Sequence, residues 1–441
     1  MAPPKRQITL KDVQACLSAN STLPYSRLLR ELVTTNANSP LKCTPKTAGR
    51  FGSVMVTLTK QSPFRYTLKT VSTPARVRDV LLNELETHKE KDPSARFCCP
   101  HINDSTDAMS DEDTAKHLIN QLPHPTFTAP HCIPDLPCPY LDGISSFPED
   151  DTCSFPAIQT MLSTSVLPAG TPIPLQHQNE STAYCTLLVG SIVWMVWPPT
   201  RENLTALQTA YDSCSANPSS AGSILDETAK RLIGGVTFVH NVGEVMRLPP
   251  FCIILGQAMK MSAVCKYSVV DASRIVPTLK MLPFIRSWWL MDGAGIERRT
   301  KFGSALLDVV EEILNGAFET FKAEEYSVLG AEQRKGVLTD LLEAWDDIIH
   351  GFMGILTAER ANELKEMMKE LLEMVGGVAV TCAICRTSTG MGASLSDHFD
   401  NEHWPRSGAG IVEQTLPVDD DNDAVGQFPA GPATLPPSHQ G

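Results

Sequence analysis

The chain has 441 residues, 42% hydrophobic and 20% charged, a composition that supports two or three globular domains. A formal net charge of -13 excludes a protein that grips a nucleic-acid backbone through its bulk surface, because phosphates would be repelled. Thirteen scattered cysteines give no disulfide framework, and the opening MAPPKRQITL carries no apolar signal core, so a reducing intracellular compartment, cytosol or nucleus, is expected.

Residues 1–125 read as an N-terminal α/β extension. Thr9 to Asp12 has the form of a capping box opening a short helix. Gly52 to Thr59 reads as a strand, and Thr73-Pro74 starts a strong helix, ARVRDVLLNELETHK. Residues 92–151, rich in Pro, Cys, His and Asp, read as long loops. Within them Cys98, Cys99, His101, His131, Cys132 and Cys138 match no standard metal-ligand spacing and read as unpaired loop thiols and imidazoles.

Residues 126–283 read as a β-rich core. TAYCTLLV, SIVWMVW, GGVTFVHNVGEVMRLPP and SAVCKYSVV carry strand signals, and residues 200–233 between them read as a helical insertion. The apolar run Tyr184 to Trp197 is fourteen residues long, too short for a hydrocarbon core of about 30 Å. Gly190 splits it into two buried strands, so no membrane span is expected.

In this core His177-Gln178-Asn179, then Gly190, then Trp197-Pro198-Pro199 resembles the start of a JmjC domain. GEVMRLPPFCIIL, from Gly243 to Leu255, resembles that family's second signature. The resemblance covers residues 150–280, about a third of the chain, and implies a double-stranded β-helix (cupin-like) fold. The family uses iron and 2-oxoglutarate, and the resemblance maps its ligand positions onto His177, Asn179 and Ile254. An amide is a weak neutral ligand and an alkyl group offers no lone pair, so a facial triad of two His and one carboxylate is not available. The cosubstrate position falls on Ile192, again without charge. Glu180 alternates onto the face opposite His177 and does not replace the carboxylate. Fe(II) and 2-oxoglutarate are therefore not expected as cofactors.

From Trp288 to Val375 the apolar period becomes 3.6. SALLDVVEEILNGAFETF, QRKGVLTDLLEAWDDIIHGF and AERANELKEMMKELLEMV read as three amphipathic helices in a bundle over 284–376. Residues 380–406 then carry Cys382, Cys385, His398 and His403, a C-x2-C…H-x4-H spacing with Leu395 in place as a core leucine. Four soft or borderline ligands at this spacing suit a tetrahedral structural Zn(II) in a CCHH-type finger. The positions that read bases in such fingers fall on Met391, Ser394 and Asp397, none of them basic, so sequence-specific DNA is not expected as a partner. An acidic helix face beside Phe399 and Trp404 suits a protein partner. Residues 407–441 read as a disordered acidic and Pro-rich tail.

The expected class is α+β: a JmjC-like core with an N-terminal extension, a C-terminal helical bundle and a small zinc finger. The expected function is that of a zinc-binding pseudoenzyme working through protein contacts, associated with chromatin or transcription in the nucleus. The alternative is an iron- and 2-oxoglutarate-dependent dioxygenase, of histone demethylase or protein hydroxylase type, with an unusual metal site. A third reading is a cupin-like protein holding a small molecule in an apolar pocket, favoured if Ile192 and Ile254 point inward.

Overall fold

The computed structural model describes residues 10–22, 25–35, 49–51, 54–59, 73–93, 97, 99, 111–138, 160–178, 181–269, 274–291, 303–304, 306–308, 310–311, 313–314, 331–376, 381–388 and 394–405. They fall into two units, one spanning Met1–Thr152 and Thr160–Val269, the other centred on Val270–Pro429. Thr9, Cys98, His101, Asn179, Glu180, Met391 and the tail from 407 lie outside the described residues.

The first unit is a mixed α+β body with two antiparallel sheets. Its strands are β1 (Gly49–Phe51), β2 (Val54–Thr59), β3 (Ile133–Pro137), β4 (Thr160–Leu167), β5 (Pro172–His177), β6 (Thr182–Val189), β7 (Ser191–Trp197), β8 (Val236–Asn241), β9 (Val245–Leu248), β10 (Ile253–Ala258) and β11 (Ser262–Val269). One sheet has seven strands in the order β1-β2-β9-β6-β11-β4-β3; the other has four, β5-β10-β7-β8. Successive strands from β4 to β7 alternate between the sheets, and so do those from β8 to β11. The two arms pair antiparallel along their length: β7 with β8, β6 with β9, β5 with β10 and β4 with β11.

Helices cover the sheets. α1 (Leu10–Ala19) packs on β8, and α2 (Ser26–Thr35) follows it, reaching β10 through a bond from Ser26 Oγ to Gln257 Oε1. α3 (Pro74–Lys91) starts as expected, with Thr73 Oγ1 accepting from the Arg76 amide and Pro74 in the first turn. It packs on β6 and shares a buried apolar cluster with α4 (Asp111–Asn120). The insertion is α5 (Arg201–Ala216) followed by α6 (Ala221–Ala229). Buried Asn203 closes it: its Nδ2 donates to the carbonyls of Pro198 and Ile233, and its Oδ1 accepts from the Ile233 amide. One side chain thus ties both ends of a thirty-residue excursion to the sheet.

One expectation needs correction here. Residues 92–151 are not all loop, since α4 and β3 lie within them. The polar composition hid an apolar face, with Ala115, Leu118, Ile119 and Leu122 all buried in the cluster under α3. β3, IPDLP, carries two prolines, which a strand tolerates at a sheet edge, and β3 is an edge strand. The N-terminal segment also adds β1 and β2 to the seven-stranded sheet through β9, so it folds with the core.

The second unit is helical: α7 (Ile275–Lys280), α8 (Leu282–Met291), α9 (Ala331–Glu343), α10 (Trp345–Met353), α11 (Ala358–Gly376) and the one-turn α12 (Leu395–His398). The expected single helix over 333–352 is broken at Ala344 into α9 and α10. Trp345, fully buried, begins the second piece.

The β6–β7 turn depends on Gly190, whose φ of +89° lies in the left-handed region. A Cβ there would collide with the Ser262 side chain and the Met261 carbonyl. Gly190→Ala is expected to destabilise the first unit by at least about 2 kcal/mol, from strain plus backbone clash. Thermal unfolding checks it: the midpoint falls by several degrees, and an unchanged midpoint contradicts the turn geometry.

Candidate metal centre

The C-x2-C pair sits in a small turn closed by backbone bonds from the Cys382 amide to the Thr387 carbonyl and from the Arg386 amide to the Cys382 carbonyl, both 2.9 Å. Arg386, with φ of 62°, occupies the left-handed position such a turn requires. The histidines come from α12 and the turn after it. Ser394 caps α12, its Oγ accepting from the amides of Ser396 and Asp397.

His398 and His403 are five residues apart. On a regular α-helix, at about 100° per residue, five residues would leave the rings about 140° apart. The chain instead widens into a π turn over Phe399–His403, with the Trp404 amide bonded to the Phe399 carbonyl at 2.9 Å. That brings the rings to one side, centroids 5.1 Å apart.

Cys382, Cys385, His398 and His403 bring one ligand atom each to within 4.8 Å of one another. Cys382 Sγ lies 3.5 Å from His403 Nε2, and Cys385 Sγ lies 3.3 Å from His398 Nε2. With bonds of about 2.3 Å to sulfur and 2.0 Å to nitrogen, the sulfur–nitrogen edge of a tetrahedral zinc site is about 3.5 Å. The four residues therefore fit a metal ion such as zinc. Burial opposes ionisation of Cys385, but hydrogen bonds involving Thr387, His398 and His403 outweigh it and bring this thiol down to about 6. Burial pushes the Cys382 thiol up. The thiol protons would leave as a metal binds.

The finger does not stand apart from the helices. Phe399 is fully buried, its ring 5.8 Å from that of Trp345 on α10. Trp345 Nε1 donates to the His403 carbonyl at 3.2 Å. Asp400 pairs with Lys365 and Lys369 of α11 at 3.0 and 2.8 Å, and Arg386 pairs with Glu343 of α9 at 3.1 Å. Of the acidic helix face expected beside Phe399 and Trp404, Phe399 is buried and Asp400 is ion-paired to α11, while Asp397 and Glu402 stay exposed. Trp404 is half-buried with Lys365 over its ring at 5.7 Å.

The positions mapped in the sheets fall differently. His177 ends β5 directly opposite Ile253 of β10, while Ile254 lies opposite Gln176. Neighbours on a strand leave by opposite faces, so His177 and Ile254 do not converge. His177 shares its face with Ile253, Trp197 and Gln257, the face that α2 and α5 cover. There His177 Nδ1 is 2.9 Å from the Tyr211 hydroxyl and the ring stacks on Phe251. Burial pushes the imidazole down to about 3, so it is neutral at pH 7. Ile192 and Ile254 lie on the reverse face, with Gln176, Trp194 and His240. His240 Nε2 donates to the Glu244 carbonyl at 2.8 Å.

Sequence reasoning put His177 and not Gln176 at the first ligand position, because alternation gives the period of a strand and not its phase. It missed Asp346, whose Oδ1 lies 2.8 Å from His403 Nδ1 across 57 positions of sequence. The side chains of Cys99, His131, Cys132 and Cys138 form no metal-holding group among the described residues: Cys138 is core, and His131 meets the Cys99 carbonyl. No described helix is long and apolar enough to cross a membrane. A scan of the chain against protein-family models finds no match, and a search of curated proteins finds none.

Native mass spectrometry of the full chain purified without chelator is expected to show one zinc. Cys382→Ala is expected to lose it, and to lower the unfolding midpoint of the helical unit because metal binding energy is folding energy. A wild-type mass equal to the bare chain would refute the site.

Proposed function

We propose that this chain is a non-catalytic JmjC-like protein that holds one structural zinc and acts through protein contacts in the nucleus, on a chromatin or transcription protein. A double-stranded β-helix is an antiparallel ribbon wound so that its strands alternate between two sheets. The pairing of β4–β7 with β8–β11, alternating strand by strand, supports that architecture for the core. β1 and β2 extend the seven-stranded sheet beyond β9, and β3 extends it beyond β4.

The observation that carries the non-catalytic reading is the pairing of Gln176 with Ile254 on the face turned away from the helices. A non-haem iron site needs two imidazoles and a carboxylate converging on one point, for charge as well as geometry. That face offers the Gln176 amide and the Ile254 alkyl group where the ligands would stand; His240 on the same face is bonded to the Glu244 carbonyl, and His177 is turned the other way against Tyr211. Among the described residues the one group of His, Cys, Asp or Glu side chains able to hold a metal is the C-terminal one.

Incubation of the purified chain with Fe(II), ascorbate and 2-oxoglutarate is expected to release no succinate above a protein-free control. Iron-dependent succinate release would overturn the reading. The register makes a sharper demand. Gln176→His with Gln178→Asp and Ile254→His places three ligands on one face and is expected to create Fe(II) binding. Asn179→Asp with Ile254→His, which leaves His177 on the helix side, is expected not to. The reverse result would contradict both the register and the wound-ribbon architecture.

A protein partner is favoured over DNA because the finger has little left with which to read bases. Ser394 is occupied as a cap, Asp397 is exposed and acidic, and Arg386, the sole Lys or Arg between Cys382 and His403, is paired with Glu343. Each bidentate base contact is worth about 1–3 kcal/mol of discrimination, and this surface supplies none. Titration of the full chain with random and defined duplexes at about 0.15 M salt is expected to give no submicromolar complex. A tight complex lost on a single base change would overturn the assignment.

A further inference from the structure

Asp346 stands in the first turn of α10, with a side chain 58% exposed. An exposed carboxylate has water for company and no need of a fixed partner, yet its Oδ1 lies 2.8 Å from Nδ1 of His403, whose side chain is 3% exposed. A carboxylate only accepts, so Nδ1 must carry the proton and donate it. That leaves the lone pair on Nε2, the atom 3.5 Å from Cys382 Sγ at the metal position. The contact therefore selects the tautomer that can ligate, and fixes the plane of the ring. A second contact on the same helix acts in the same sense: Trp345 Nε1 donates to the His403 carbonyl at 3.2 Å, so backbone and ring of this one residue are both held by α10. The other histidine, His398, is held through Cys385 within the finger.

We propose that Asp346 is a positioning residue of the metal centre: a carboxylate outside the finger that orients His403, so that metal loading and the seating of α10 are coupled. This rests on the reading that Cys382, Cys385, His398 and His403 hold a metal. A ligand-bound imidazole whose other nitrogen donates to a carboxylate is a stronger and better aimed base, and loss of such a partner typically weakens metal binding about 10–100-fold.

The test uses the full chain, wild type and with Asp346→Asn, Asp346→Ala or Asp346→Glu. Zinc affinity is measured by competition with a chromophoric chelator, the Co(II) d–d and thiolate charge-transfer bands are recorded, and the unfolding midpoint is taken with and without metal. The expected result is at least about a tenfold loss of affinity in Asp346→Asn and Asp346→Ala, with recovery in Asp346→Glu. The Co(II) bands shift in the first two variants, and the metal-free midpoint stays at the wild-type value. A residue that merely braced the helix would lower the metal-free midpoint and leave affinity and spectrum unchanged; that result overturns the proposal. Equal affinity and spectra in all four proteins also overturn it while leaving the metal site standing. A wild-type chain that takes up neither zinc nor cobalt removes the site and the proposal together. If Asp346→Ala does not fold, the near-isosteric Asp346→Asn decides alone.

Discussion

Successive side chains of a β-strand leave by opposite faces, and the four-stranded sheet is buried on both of its faces. What its residues can do is therefore set by the register between β5 and β10. With Ile253 opposite His177 and Ile254 opposite Gln176, the imidazole is committed to the helical layer and an amide to the other side. A slip by one residue would exchange them and move every side chain of β5 with them. Several contacts hold the register where it is. Tyr211 of α5 meets both the His177 amide and its ring, at 3.2 and 2.9 Å, and just beyond the strand the Phe251 amide donates to the Gln178 carbonyl while the Gln178 amide donates to the Cys252 carbonyl. Gln257, two turns of pleat further along β10, is gripped by Ser26 of α2 and by the Gly170 carbonyl.

The helical unit follows a different logic. Its apolar stripes pack in the usual way, but its C-terminal end, around a Cys/His cluster that could hold a metal, is tied in by ion pairs and ring contacts. A cluster of two thiols and two imidazoles has little apolar surface of its own, and Leu395 and Phe399 make up most of its core. Phe399 finds its partner in Trp345, and the ion pairs from Asp400 and Arg386 spread the finger across three helices. Surface ion pairs contribute little singly, so the weight falls on the buried ring contact and on any metal the cluster holds. A metal held there would close the segment from Cys382 to His403.

The metal ligands were readable from the chain because their spacing is local: two residues between the cysteines, four between the histidines, and a leucine at the right offset. The helical insertion was readable from Thr200 and its apolar period, and the strands from their β-branched runs around Gly190. What failed did so for identifiable reasons. Pro134 and Pro137 disguised β3, since a proline is excluded from a central strand but not from an edge. The apolar face of α4 was short and set among Cys, His and Asp. The phase of β5 could not be read, because alternation looks the same from either side until Tyr211 and Ser26 are in place. The burial of Phe399 and the role of Asp346 depend on partners more than fifty positions away, and no local pattern encodes them.

The proposed function requires a metal at the C-terminal Cys/His cluster and none on the sheet face that carries Gln176 and Ile254. X-ray absorption at the zinc and iron edges of the full chain, purified from cells without added metal, tests that claim most directly. The expected spectrum is a zinc first shell of two sulfurs near 2.3 Å and two nitrogens near 2.0 Å, with no stoichiometric iron. An iron edge at one equivalent with a shell of nitrogen and oxygen alone would contradict it.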